Sequence, residues 1–143
     1  IYELAKCEFP ITLSVSLHAP NNEIRSSIMP INKKYPIEEL IGACKDYIKT
    51  TTRRISFEYS LISGVNDSME NADELASLLK GMLAHVNLIP VNKIEERDYK
   101  KGNKKQINDF CERLNKRGIN ATIRRELGSD IQASCGQLRK KLL

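Results

Sequence analysis

The sequence predicts an α/β fold built from parallel βα units. Three observations carry that expectation: short runs rich in β-favouring residues, amphipathic helical runs between them, and turn residues at the junctions. Ile11 to Leu17 reads as the first strand and ends at His18-Ala19-Pro20. Pro36 then opens a helix to about Thr50, with Glu38 and Glu39 in its first turn, where the helix dipole favours acids. Its apolar face is Ile37, Leu40, Ile41, Cys44, Tyr47 and Ile48, at helical spacing.

Arg54 to Ile62 reads as the second strand, closed by the turn Gly64-Val65-Asn66-Asp67. A helix from about Met69 to Leu83 follows, with Leu75, Leu78, Leu79 and Met82 inward and Asp67 or Ser68 as cap. Val86 to Pro90 is a third, short apolar strand. Lys93 to Asn103 is polar and reads as a loop, and Lys104 to Lys116 as a helix stopped by Gly118. Ala121 to Leu127 is the fourth strand. Parallel strands place all their C-terminal ends on one edge, so His18, Ser63-Gly64, Asn92 and the 128–135 segment should gather there.

Composition narrows the class. The chain has 143 residues, 41% hydrophobic and 29% charged, enough for one domain with a core. No apolar run is long enough to span a bilayer. The chain opens at Ile1 without a signal peptide and reads as a piece of something longer. Its net charge is +5, and its basic residues fall in clusters: Lys33-Lys34, Arg53-Arg54, Lys100-Lys101, Lys104-Lys105, Arg124-Arg125 and Arg139-Lys140-Lys141. Such pairs are ordinary solvated surface in many proteins; a polyanion such as RNA is the sharper reading.

The cysteines are Cys7, Cys44, Cys111 and Cys135. None stands two to four residues from another, so no metal-ligand spacing is visible. Cys44 and Cys111 fall on apolar helix faces and are expected to be buried core thiols of a reducing, cytoplasmic compartment. Cys135 differs. It lies in Gly128-Ser129-Asp130-Ile131-Gln132-Ala133-Ser134-Cys135-Gly136-Gln137-Leu138-Arg139, among small and polar residues that no core would select. Its thiol is therefore offered to a partner, and Gly136 allows close backbone approach. A surface cysteine without a role is the plainer alternative.

That segment resembles the C-terminal signature of the radical-SAM methyltransferases that modify an adenine of 23S rRNA. Three further stretches match in order: Ile11-Thr12-Leu13-Ser14-Val15-Ser16-Leu17-His18-Ala19-Pro20-Asn21-Asn22, Glu58-Tyr59-Ser60-Leu61-Ile62-Ser63-Gly64-Val65-Asn66-Asp67-Ser68 and Val86-Asn87-Leu88-Ile89-Pro90-Val91-Asn92. The resemblance runs from about residue 1 to 139. It implies part of a partial TIM-like (β/α)6 barrel, the C-terminal portion of a radical-SAM catalytic domain over residues 1–143. It implies S-adenosylmethionine bound by Ser16, Leu17, His18 and Asn92, with no metal ligand in this chain.

Cys135 is, by the same resemblance, the catalytic residue. It would take a methyl group from one S-adenosylmethionine. A radical from a second, cleaved at a [4Fe-4S] cluster, would activate that methyl for addition to adenine C2, and a second cysteine would release the product by disulfide formation. The family's C-x3-C-x2-C cluster loop, resolving cysteine and N-terminal RNA-binding domain do not occur in this sequence, so the isolated chain is expected to be inactive. Implied partners are 23S rRNA, tRNA as a second substrate, an electron donor for the cluster, and another copy of the chain through an open sheet edge.

Three alternatives stand beside this reading. One is the sister enzyme acting at C8 of the same adenine, from which Cys135 does not separate it. Another is a non-catalytic basic α/β domain that binds RNA. The third is a small-molecule barrel enzyme with a phosphate site, for which no Gly-rich phosphate loop is found. For His18 and Asn92 taken alone, a hydrogen-bonded structural histidine and a turn residue are the plainer readings.

Overall fold

A computed structural model describes residues 1–91 and 104–125. Four parallel strands form one sheet in the order β1-β2-β3-β4: β1 (Leu13–Ser16), β2 (Ile55–Leu61), β3 (Ala84–Pro90) and β4 (Asn120–Ile123). The helices are α1 (Tyr2–Ala5), α2 (Asn22–Ile28), α3 (Ile37–Thr51), α4 (Met69–Leu79) and α5 (Lys104–Lys116), with a 3-10 turn at Pro30–Lys33. Every pairing is parallel, the first two strands included, as the βα alternation requires.

One face of the sheet carries Val15, Ile55, Phe57, Tyr59, Leu61, Val86, Leu88 and Ala121. Against it pack Ile37, Ile41, Cys44 and Tyr47 of α3, Ala72, Leu75, Ala76 and Leu79 of α4, and Ile107, Phe110 and Leu114 of α5, all in one apolar cluster. The Tyr59 and Phe110 rings meet at 5.4 Å between centroids. Removing this apolar area from water is the main force holding the helices to the sheet.

The element ends differ from the sequence expectation for local reasons. Pro36 is the N-cap of α3, not its first residue: its ψ of 164° is extended, and the helix begins at Ile37. α4 stops at Leu79 instead of Leu83, because Lys80 leaves helical geometry and Gly81 turns with φ 77°. The chain is then free to start β3 at Ala84, two residues before the expected Val86. β4 begins at Asn120 and ends at Ile123, where the Arg124 amide bonds back to the Leu88 carbonyl. Ser68 caps α4 in a reciprocal capping box with Asn71.

Helices α1 and α2 were not expected. α2 is started by Asn21, whose side chain accepts from the Ile24 amide at 2.9 Å. Cys44 is fully buried as expected, but Cys111 is only half-buried, its Sγ directed at the Ala121 carbonyl at the rim of the cluster.

Candidate functional site

The second face of the sheet is polar. β2 alternates strictly: Ile55, Phe57, Tyr59 and Leu61 are buried, while Ser56, Glu58 and Ser60 point to the other side and are half-buried. Parallel sheets covered by helices on both faces read as continuous apolar strands, so this alternation marks a face that none of the described helices covers. In register across it lie Ser16, Glu58, Asn87 and Thr122, one from each strand. Asn87 donates to Glu58 Oε2 at 2.9 Å, and one row lower His85 Nε2 meets Thr122 Oγ1 at 2.9 Å. Burial first, then Arg54, holds the His85 imidazole below its ordinary pKa, with Glu58 opposing.

Ser16, Leu17 and His18 end β1 on the C-terminal edge of the sheet. Ser16 is exposed, Leu17 is fully buried, and His18 is half-buried. Leu61 of β2 and Pro90 of β3 pair on this same edge. Asn92, Cys135 and the expected loop at 93–103 lie outside the described residues, as does the end of the expected fourth strand at 126–127.

The strand end is not a simple continuation of the ladder. Leu17 donates to the Glu58 carbonyl at 3.0 Å, so a regular parallel ladder would next pair the Ser60 amide with the Leu17 carbonyl. Both groups are diverted. The Ser60 amide donates to His18 Nδ1 at 2.9 Å, and the Leu17 carbonyl accepts from Arg25 Nε at 3.0 Å. His18 takes the left-handed backbone conformation, φ 59°, which costs a non-glycine residue about 1 kcal/mol or more. Burial, then the nearby Arg25 charge, holds its imidazole below the ordinary value, with Glu58 opposing.

Sequence reasoning missed two residues that build this edge. Arg25 is 4% exposed and makes no ion pair among the described residues. Its guanidinium spans the Ser16 carbonyl at 3.1 Å, the Leu17 carbonyl and the Asn32 side-chain oxygen at 2.9 Å. Asn66, fully buried, donates to the carbonyls of His18 at 2.8 Å and Ser60 at 2.7 Å and accepts from the Ile62 amide at 2.7 Å. Tyr59 Oη adds a bond to its backbone carbonyl at 2.7 Å. Asn22 ties the next loop by accepting from the Ile37 amide and Asn32. Asn21, Asn22 and Asn66 all stand in the matched stretches; Arg25 lies just after one.

A four-stranded parallel sheet with helices on one face and a polar second face is the geometry of a segment of an α/β barrel. The structure superposes on a radical-SAM methyltransferase from Sphaerobacter thermophilus with TM-score 0.91 and 52% identity, covering 94% of this chain and 40% of that one. A domain of pyruvate-formate lyase-activating enzyme from Bacteroides vulgatus shares the fold at TM-score 0.66 and 16% identity, over 87% of this chain and 72% of that one. The whole chain is 59% identical to the probable dual-specificity RNA methyltransferase RlmN of Clostridium novyi and 56% identical to that of Caldanaerobacter subterraneus, spanning 42% of each. No protein-family model matches. Over its whole length the chain is similar to these methyltransferases, and it matches their C-terminal part, less than half of their length.

Proposed function

We propose that this chain forms part of a radical-SAM RNA methyltransferase that methylates C2 of an adenine in 23S rRNA, with tRNA as a second substrate, in the cytoplasm. One observation carries the reading most: the match to RNA methyltransferases, which covers all of this chain and 42% of the relative, spans Ser16-Leu17-His18, and these residues lie at the end of β1 on the strand-end edge where parallel α/β folds bind ligands.

The residues described at that edge fit a polar ligand such as S-adenosylmethionine. His18 presents Nε2, which has no partner among the described residues, and Ser16 presents an exposed hydroxyl. Leu17, buried in the core, anchors the strand between them. Asn92 follows β3, where its amide would supply both a donor and an acceptor to the methionine portion. When bound, S-adenosylmethionine supplies an activated methyl group. Cys135 is the acceptor on this reading: its thiolate forms an S–CH3 bond as the sulfonium C–S bond breaks and S-adenosylhomocysteine leaves.

The iron–sulfur cluster is a different case. Among the described residues no group of three His, Cys, Asp or Glu could hold a metal, and the four cysteines of the sequence lack ligand spacing. The described residues offer no ligand set for the cluster, and no step is assigned to them through it.

RNA would meet the basic groups near the strand ends, where Arg124 and Arg125 are exposed after β4. β1 and β4 are the outer strands among the described residues, and pairing of such edges is the route by which copies of this segment would associate. The test is product identity. Full-length, cluster-loaded protein acting on unmodified 23S rRNA should yield 2-methyladenosine in digests. 8-Methyladenosine would assign the sister activity. Loss of S-adenosylmethionine binding should accompany His18→Ala and Asn92→Ala; unchanged binding in both would overturn the site.

A further inference from the structure

We infer that Asn66 is the positioning residue of His18, and that the His18 subsite takes a hydrogen-bond acceptor from its ligand. The inference deepens the S-adenosylmethionine reading and rests on it for the ligand's name. The geometry stands without it.

A backbone amide can only donate. The Ser60 amide at 2.9 Å therefore requires a lone pair on His18 Nδ1. The proton of the neutral ring must then sit on Nε2, and that atom has no partner among the described residues. His18 is thus presented as a donor. The matching ligand atom is an acceptor, such as a carboxylate oxygen, a ribose oxygen or an adenine ring nitrogen; an ammonium or amino group does not fit.

This arrangement needs the backbone of His18 to hold φ 59°, an uncommon conformation for any residue but glycine. Asn66 supports it. One amide group bonds both the His18 and the Ser60 carbonyls, so the two strand ends that form the Ser60–His18 contact are held at a fixed separation. Asn66 is itself fixed by the Ile62 amide and the Tyr59 hydroxyl, and it is fully buried. No other described side chain bridges β1 and β2 at this edge through their main-chain carbonyls. The matched stretch from Glu58 to Ser68 thereby acquires a role that composition did not reveal. Arg25 of α2 and Glu58 of β2 are the charged groups that act on the ring, and their effects oppose each other.

The test uses full-length protein with selectively 15N-labelled histidine. The wild-type His18 ring should show a pyridine-like Nδ1 and a pyrrole-like Nε2–H near neutral pH, and S-adenosylmethionine should shift the Nε2–H signal. Asn66→Ala should lose the single tautomer, with His18 averaging between forms and titrating closer to an ordinary histidine. Its S-adenosylmethionine dissociation constant should rise about tenfold, as for one lost hydrogen bond. A pyrrole-like Nδ1–H in the wild type overturns the inference, whether or not the variant folds. So does an Asn66→Ala protein that keeps the tautomer and binds within about twofold of wild type. If the wild type binds no S-adenosylmethionine, the functional reading fails, and the tautomer spectrum still decides the role of Asn66.

Discussion

Replacing Arg25 by Met should destabilise the protein by far more than a surface arginine would. The Met side chain keeps most of the stem volume but removes every donor. Two buried acceptors lose their partners: the carbonyl of fully buried Leu17 and the side-chain oxygen of Asn32, which is 2% exposed. An orphaned buried acceptor costs about 1–3 kcal/mol. The Ser16 carbonyl, on an exposed residue, can turn to water and adds less. Against this, the variant no longer buries a guanidinium that lacks a carboxylate among the described residues, and that relief offsets part of the loss. The net should be about 3 kcal/mol, which for a chain of this size lowers Tm by about 10 °C. Thermal melts followed by circular dichroism measure it. Arg25→Lys should recover only a fraction, because one ammonium cannot reach two carbonyls and an amide oxygen arranged around a planar fork. A Tm drop below about 2 °C for Arg25→Met, or full stability in Arg25→Lys, would refute the clamp.

Three further outcomes follow from separate parts of the molecule. Ser68→Ala should cost about 1 kcal/mol, because it opens the capping box with Asn71, and urea titration should show a lower midpoint at unchanged slope. Timed alkylation of the folded protein should label exposed Cys7 first, Cys111 more slowly, and Cys44 last, since Cys44 is fully buried and burial raises its thiol pKa to about 11. Labelling of Cys44 as fast as Cys7 would show that α3 does not pack as described. The Asp73 carboxyl accepts bonds from Arg113, which, with added help from Arg117, holds its pKa below the unfolded value of 3.8. A depressed carboxylate stabilises the fold above its unfolded pKa and loses that contribution as pH falls through the folded one. The stability gap between wild type and Asp73→Asn should be constant near neutral pH and close below about pH 4.

The sheet was readable from sequence because its evidence is local. β-rich runs, amphipathic helices and turn residues each fall within a dozen positions, and parallel pairing follows from their alternation. Helix ends were read less well. The extended ψ of Pro36 and the turn at Gly81 move each boundary by a few residues, and α2 depends on one capping asparagine. The polar second face was present in the pattern Ile55-Ser56-Phe57-Glu58-Tyr59-Ser60-Leu61, where strict alternation argues against helices on both sides.

The candidate site divides in the same way. Ser16, Leu17 and His18 were visible because they close a strand on the C-terminal edge of the sheet. Arg25 and Asn66 were not, because their partners are main-chain carbonyls, which no side-chain pattern records. The half-burial of Cys111 was also hidden: helical spacing places it on the apolar face without saying that its thiol lies beside Ala121, near the start of β4.

The central claim is that Cys135 carries the methyl group. Its direct test is mass spectrometry of full-length, cluster-loaded protein after incubation with methyl-labelled S-adenosylmethionine and withdrawal of the electron donor. The account predicts a labelled methyl thioether on the peptide containing Cys135, absent from Cys135→Ala, which should also leave 23S rRNA unmethylated. A protein that methylates RNA while Cys135 never carries the label, or a Cys135→Ala variant that still methylates adenine, would contradict it.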